Sequence, residues 1–306
     1  MRVLVIGAGG FLGGAVARRL AARGDTEVVA AVRRPTPLLP EARRLELGDP
    51  TAIAQALRDV RPDIVIHAAG RTPGAPDAFE ADNVAATANL AEAIGEAASR
   101  PGLILLGSAA QYGRSATRTP WRETDPGGPA DAYGASKRSA ETAAARAAAR
   151  LGFRLTVLRL FNVISAVGDG DSAFASFTNK ALRAVGGAPP FRVEMGPLGA
   201  IRDFVAPDDF LLAVERVIER RVWDETLNVC TGVGRTVRAL IEAAVAQIDL
   251  GLTVAEADAQ PALDWSVGDP SHCQARLGFT PSSDLTPLIA RAAAKVRAAA
   301  LVQPDA

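Results

Sequence analysis

The sequence predicts a doubly wound α/β fold, a parallel sheet covered by helices, with a smaller α/β lobe interlaced with it. Three observations predict it. Short β-branched runs, apolar on both faces, alternate with longer Ala-, Leu- and Arg-rich runs through the first half. A glycine-rich turn follows the first short run and leads straight into a helical pattern. The chain has 306 residues, 48% of them hydrophobic, enough to bury one large core or two interlocked ones.

In chain order, "RVLVI" (2–6), "EVVAAV" (27–32), "DIVIHAA" (63–69), "GLILLG" (102–107) and "RLTVLRLF" (154–161) read as buried strands. Helical stretches lie between them at 11–23, 51–59, 77–99 and 131–151. From Asn162 the pattern loosens, and "AVGDGDS" and "VGGAPPF" read as loops. Helices follow near 172–185, 207–220, 234–247 and 283–300, with strand candidates "FRVEM", "IRDFV" and "TLNVC". The Ala-rich segments 143–149 and 292–300 are helix formers, not linkers. We therefore expect a first domain over 1–163 and a smaller second lobe over 164–306, the two interlaced; the glycine turn and the resemblance given below imply dinucleotide binding for the first and substrate binding for the second.

Composition excludes several classes. With 34 basic and 34 acidic residues the formal charge is +0, so no basic surface for nucleic acid or an anionic membrane is expected. Cys230 and Cys273 lie far apart, without metal-ligand spacing, so neither a disulfide framework nor a metal site is expected. "MRVLVIG" is too short for a signal or spanning segment, and the expectation is a cytoplasmic protein.

The turn "GAGGFLG" places Gly7, Gly10 and Gly13 between a strand and a helix, with Phe11 and Leu12 between the last two. Glycine lets the backbone approach a ligand, and the helix start offers unpaired N–H groups to a pyrophosphate. The second strand ends in Val32, Arg33 and Arg34, with no carboxylate for a ribose 2′-hydroxyl. Two guanidiniums suit a 2′-phosphate, which favours NADP(H) over NAD(H); solvated loop arginines are the alternative.

Lysine is rare here, with three residues against many arginines, and tyrosine rarer still, with two. Tyr133 and Lys137 are four apart in the helical stretch 131–151, hence on one face. An ammonium near a phenol stabilises the phenolate, and a compact lysine charge can serve the phenol and a ribose hydroxyl together. Ser108 ends the strand "GLILLG" at the sheet's carboxyl edge, where such folds place ligands. His67 follows an apolar run and reads as a hydrogen-bonded core residue, and Trp121, Trp223 and Trp265 as packing residues.

Several motifs occur together in one order: "GAGGFLG", "GD" (48–49), "DIVIHAAG", "NVAATANL", "LGSAAQYG", "YGASK", "LRLFNV" and "RDFVAPDD". The chain thereby resembles the extended short-chain dehydrogenase/reductases of the NAD-dependent epimerase/dehydratase type, which act on nucleotide-diphosphate sugars. The resemblance spans nearly the whole chain and implies a Rossmann-type doubly wound sheet. It implies a Ser108/Tyr133/Lys137 catalytic set, Asp49 at the adenine amino group, and Ala68 and Ala69 along the ribose path. Asn162 and Arg202 would face the substrate diphosphate. An ion pair of Arg202 with Asp203, Asp208 or Asp209 is the plainer reading of that arginine. The family's usual histidine after "RDF" and a hydrophobic residue is Ala206 here. In the family, helices equivalent to 77–99 and 131–151 form a homodimer interface.

The two positions after the family's serine often carry acid–base groups in dehydratases and cysteine in a 3,5-epimerising branch. This chain has Ala109 and Ala110, which transfer no proton. Single-centre chemistry remains. "LGSAAQYG" and "PDDFLLAV" look similar to the GDP-6-deoxy-4-keto-hexose reductase and GDP-mannose dehydratase branch. The expected function is NADPH-dependent reduction of a nucleotide-diphosphate 4-keto-(6-deoxy)sugar. The alternatives are an NAD-dependent nucleotide-sugar 4-epimerase and a non-catalytic NADP-binding sensor or scaffold.

Overall fold

A computed structural model describes residues 1–72, 74–115, 117–165, 172–257 and 265–301. Most of the expected "AVGDGDS" loop lies outside them.

The chain runs β1 (Arg2–Ile6), α1 (Phe11–Ala21), β2 (Glu27–Val32), β3 (Arg43–Arg44), α2 (Pro50–Val60) and β4 (Ile64–His67). It continues through α3 (Pro76–Phe79), a π-turn segment (Glu80–Ala85), α4 (Ala86–Glu96), β5 (Gly102–Ser108), a 3₁₀ turn (Ala109–Tyr112) and α5 (Ala132–Leu151). Then come β6 (Leu155–Leu160), β7 (Asn162–Val163), α6 (Ala173–Val185), β8 (Arg192–Met195), β9 (Ile201–Val205) and α7 (Pro207–Arg220). Last are β10 (Glu225–Val229), β11 (Gly234–Thr236), α8 (Val237–Ile248), β12 (Thr253–Glu256), β13 (Trp265–Ser266), α9 (Ser271–Leu277) and α10 (Thr286–Ala300).

Seven strands form one sheet in the order β10-β6-β5-β4-β1-β2-β3, every neighbouring pair parallel. The strands are apolar on both faces because both are covered. Val3, Val5, Ile64, Ile66 and Ile104 pack under α1, α7 and α9. The alternate residues Leu4, Ile6, Val65, Leu103 and Leu105 pack under α2, α4 and α5. This two-sided burial is what the β-branched runs encode. Helix α5 starts at an Asp131 cap, whose carboxylate accepts from Gly134 N at 2.7 Å.

The second lobe has its own core of α6, α8 and α10 around Phe174, Phe177, Leu240 and Leu288. There β9 pairs with β7, β11 and β13, while β8 pairs with β12. The chain nevertheless returns to the first layer. β10 extends the large sheet beside β6, and α7 and α9 cover its α1 face.

The expected helix 77–99 is not continuous. The π-turn segment interrupts it, where Asp82 and Asn83 both turn their side chains onto Arg71. Helix α9 is not among the helices expected from the sequence. Among the described residues, no helix is long and apolar enough to cross a membrane, and no three His, Cys, Asp or Glu residues are grouped to hold a metal.

Candidate active site

The glycine turn is built by close contacts. Gly7 has φ +85°, and a Cβ there would lie 2.6 Å from Ala69 N; a Cβ at Gly13 would lie 2.2 Å from the Gly7 carbonyl oxygen. The turn therefore presses against the end of β4, and α1 starts directly above it. Gly10 is the residue before α1, and no side chain caps that helix start. Its first N–H groups and dipole end are left for an anion. The residues present fit the pyrophosphate of a dinucleotide.

A cavity of about 290 Å³ lies on one side of the turn, lined by Gly7, Gly9, Gly10, Val32, Arg33, Arg34, Ala68, Ala69 and Asp82. Arg33 and Arg34 thus share one cavity with Ala68 and Ala69. Arg33 Nη1 donates to Asp82 Oδ1 at 2.9 Å, and Arg71 Nε donates to Asp82 Oδ2 at 2.6 Å. Burial raises the Asp82 carboxyl, and the hydrogen bonds and charges of Arg71 and Arg33 outweigh it, leaving it below its ordinary value. Asp49 lines neither this cavity nor the next. Its Oδ1 caps α2, accepting from Thr51 N at 2.9 Å and Ala52 N at 3.1 Å.

A larger cavity of about 650 Å³ opens on the other side of the turn. Gly10, Phe11, Leu12 and Ala68 form one wall; Ser108, Ala109, Ala110 and Tyr133 form another; Asn162 and Arg202 face it from the second lobe. Ser108, Tyr133, Asn162 and Arg202 thus share one space with the glycine turn. Gly134 makes this possible, since a Cβ there would lie 2.4 Å from the Ala110 carbonyl oxygen. Helix α5 consequently begins directly against the turn that follows Ser108. The Tyr133 ring sits 5.9 Å from the Phe79 ring, tilted by 59°. Ser108 Oγ accepts from Ala110 N at 3.2 Å, an arrangement that leaves its hydroxyl proton able to reach a ligand oxygen.

Lys137 lies one turn beyond Tyr133 on α5, outside the cavity lining, and its Nζ donates to the Leu106 carbonyl at 2.8 Å. Burial pulls its ammonium down to about 8, against an upward push from Glu141. His67 is the core residue the sequence reading expected. It is 1% exposed, with Nε2 3.0 Å from Thr87 Oγ1 and Nδ1 without a partner. Burial, and then the Lys137 charge, lower its pKa to about 3, so it stays neutral. Asn162 Nδ2 donates to the Asp203 carbonyl at 3.0 Å, and Arg202 Nη1 to the Ile201 carbonyl at 3.0 Å. The Asp203 carboxylate accepts from Thr231 N and Oγ1, Gly232 N and Gly268 N. Trp121 stacks on Tyr112 at 5.3 Å, and Trp223 lies under the Arg154 guanidinium; both serve packing.

Two clusters lie outside the sites expected from the sequence. Asp82, Asn83 and Arg71 carry no periodic signal. The other cluster did carry one, an arginine inside the apolar run "LTVLRLF". Arg159 pairs with Glu141 and donates to Tyr112 Oη at 2.7 Å and the Glu123 carbonyl at 2.9 Å. Burial pushes the Tyr112 phenol up to about 12, despite Arg159, so it remains a neutral strut.

The family described as "NAD dependent epimerase/dehydratase family" matches residues 3–230. The chain is 33% identical over 294 residues to the dTDP-6-deoxy-L-talose 4-dehydrogenase (NAD(P)(+)) of Kitasatospora kifunensis, covering 93% of this chain and 92% of that one. It is 30% identical over 258 residues to the GDP-6-deoxy-D-mannose reductase of Pseudomonas aeruginosa, covering 81% of each. The crystal structure of the Thermus thermophilus UDP-glucose 4-epimerase in complex with NAD superimposes with a TM-score of 0.85 at 26% identity, over 97% of this chain and 99% of that one.

Proposed function

The chain belongs to the NAD dependent epimerase/dehydratase family, and on that premise we propose that it reduces the 4-keto group of a nucleotide-diphosphate 6-deoxysugar with NADPH. The observation that carries this reading is the shared cavity. Ser108 and Tyr133 face the same 650 Å³ space as Gly10, Phe11 and Leu12, while Ala109 and Ala110, which also line it, carry no acid–base side chain. In the family resembled, the base that removes a proton beside the ketone often stands at those two positions, and alanine supplies none. Carbonyl reduction needs only a donor to the oxygen.

The chemistry a bound NADPH supplies is hydride transfer to the C4 carbonyl carbon. The α1 start and the turn from Gly7 to Gly13 would hold its pyrophosphate, and Arg33 and Arg34 would receive a 2′-phosphate. Ser108 Oγ donates to the C4 oxygen and fixes its position. Tyr133 Oη delivers the proton to that oxygen as negative charge develops there. Lys137 keeps a positive charge one turn away and favours the phenolate left behind. Arg202 and Asn162 would hold the substrate diphosphate, so the sugar nucleotide would lie between residues of 1–163, which also take the dinucleotide, and the lobe 164–306. Exposed Ala135, Ala145 and Ala149 on α5 let a second copy approach closely, which supports a homodimer through α4 and α5.

Incubation with NADPH and the 4-keto-6-deoxyhexoses of thymidine and guanosine diphosphate tests the reading, with loss of NADPH absorbance expected on at least one. The 4-epimerase reading is supported by the likeness to a 4-epimerase holding NAD. Tightly held NAD in the purified protein, interconversion of 4-hydroxy epimers and no net NADPH consumption would replace the first reading with that one.

A further inference from the structure

The end of β2 offers no carboxylate, yet the fold delivers one to the same cavity from another element. Asp82 comes from the π-turn segment and is the one acidic residue among the described lining residues of the 290 Å³ cavity. We propose that Asp82, acting through Arg33, sets the choice between NADP and NAD at this site. The proposal rests on the dinucleotide site described above and deepens it.

Three features support it. First, Asp82 is anchored rather than solvated. Its Oδ2 is held by Arg71 Nε, and the Arg71 backbone is held by Asn83, which accepts from its N–H at 2.7 Å and donates to its carbonyl at 3.1 Å. Second, its Oδ1 takes one N–H of Arg33, whose side chain is 46% exposed and keeps its other donors. Third, the two kinds of adenosine differ here by charge. A 2′-phosphate is attracted by Arg33, and Asp82 weakens that attraction by occupying Nη1 and neutralising part of the guanidinium charge; an uncharged 2′-hydroxyl loses little by that pairing. Asp82 therefore offsets part of the gain Arg33 gives a 2′-phosphate and leaves binding of a 2′-hydroxyl nearly untouched. The site is built to take both dinucleotides, with one ion pair fixing the balance.

Titration calorimetry with NADP⁺ and NAD⁺ tests this on the purified full-length protein, its Asp82→Asn and Asp82→Glu variants, and Arg33→Ala alone and combined with Asp82→Asn. In Asp82→Asn the ratio of the NAD⁺ to the NADP⁺ dissociation constant rises about tenfold, and added salt shrinks the rise. Asp82→Glu keeps the ion pair and stays within about threefold of the parent. In the Arg33→Ala background the same substitution changes the ratio less than half as much on a logarithmic scale. Asp82→Ala repeats the measurement if the amide variant fails to fold. A ratio unchanged within about twofold, a shift toward NAD⁺, or an undiminished effect without Arg33 overturns the proposal. In those cases the cofactor site stands. If the parent protein binds neither dinucleotide, the cofactor reading fails and takes this proposal with it.

Discussion

Asn83 donates its side-chain amide to Ser136 Oγ at 2.9 Å, and Ser136 donates in turn to the Tyr133 carbonyl at 2.8 Å. The π-turn segment is thus tied to the helix that presents Tyr133. Asn83 is 2% exposed and also makes both backbone bonds to Arg71. Asn83→Ala removes all of these and is expected to cost about 2–4 kcal/mol, read as a lower urea midpoint. Turnover should fall with it, because the start of α5 loses a tie. An unchanged midpoint would mean that water replaces the bonds at no cost.

Tyr133→Phe is expected to cut turnover by about 10²–10⁴-fold while the dissociation constant for NADP⁺ stays within about threefold. Ser108→Ala should act in the same direction. Retained turnover in the tyrosine variant would remove it from the proton path.

Lys137 gives two opposite pH effects. Its ammonium titrates near 8 in the folded protein and at 10.5 in an ordinary lysine. Activity that needs the charge should decline as pH rises through about 8, seen in kcat/KM. Between those values the unfolded chain binds the extra proton, so stability should rise with pH over the same window. Lys137→Met should flatten that rise, and a parent protein whose stability is level from pH 8 to 10.5 would contradict the assignment.

His67 works at the acid end. It resists protonation down to about 3, whereas an unfolded histidine takes a proton near 6.5. Stability from this residue is complete above 6.5 and is lost as pH falls toward 3. His67→Gln keeps a partner for Thr87 and cannot titrate. Its stability should fall less steeply across that range, and equal slopes would count against a neutral buried ring.

Gly134→Ala tests the contact that brings α5 to Ser108. The new methyl must displace the Ala110 carbonyl, at an expected cost of about 1–3 kcal/mol in thermal unfolding. Turnover should drop by more than NADP⁺ affinity does. Equal losses in both would place the effect in the fold rather than the site.

Much of this architecture was legible in the residues. β1, β2 and β9 run over the spans their β-branched patterns mark, because two-sided burial leaves a local signature. The glycine turn, Ser108 and Tyr133 were legible for the same reason, each being tied to the end of a strand or the start of a helix. What was hidden depends on distance along the chain. Arg33 and Asp82 are 49 residues apart, and nothing local to either announces the pair. The break at Glu80–Ala85 arises from partners on Arg71, outside any helical period. Helix α9 has 7 residues, less than two full repeats of a helical pattern. Arg159 was visible as a charge in an apolar strand, but its partner Glu141 lay in a helix with no mark of inward direction.

β10 closes the large sheet beside β6 although most of the substrate lobe's first half is translated between them. A ribosome therefore releases the last strand of the nucleotide layer late. Until residue 229 clears the exit tunnel, β6 presents a bare backbone edge to any neighbouring nascent chain. Stepwise maturation, one lobe completed before the next begins, is closed to this topology. Nascent chains stalled before that point would be clients for chaperones that shield strand edges.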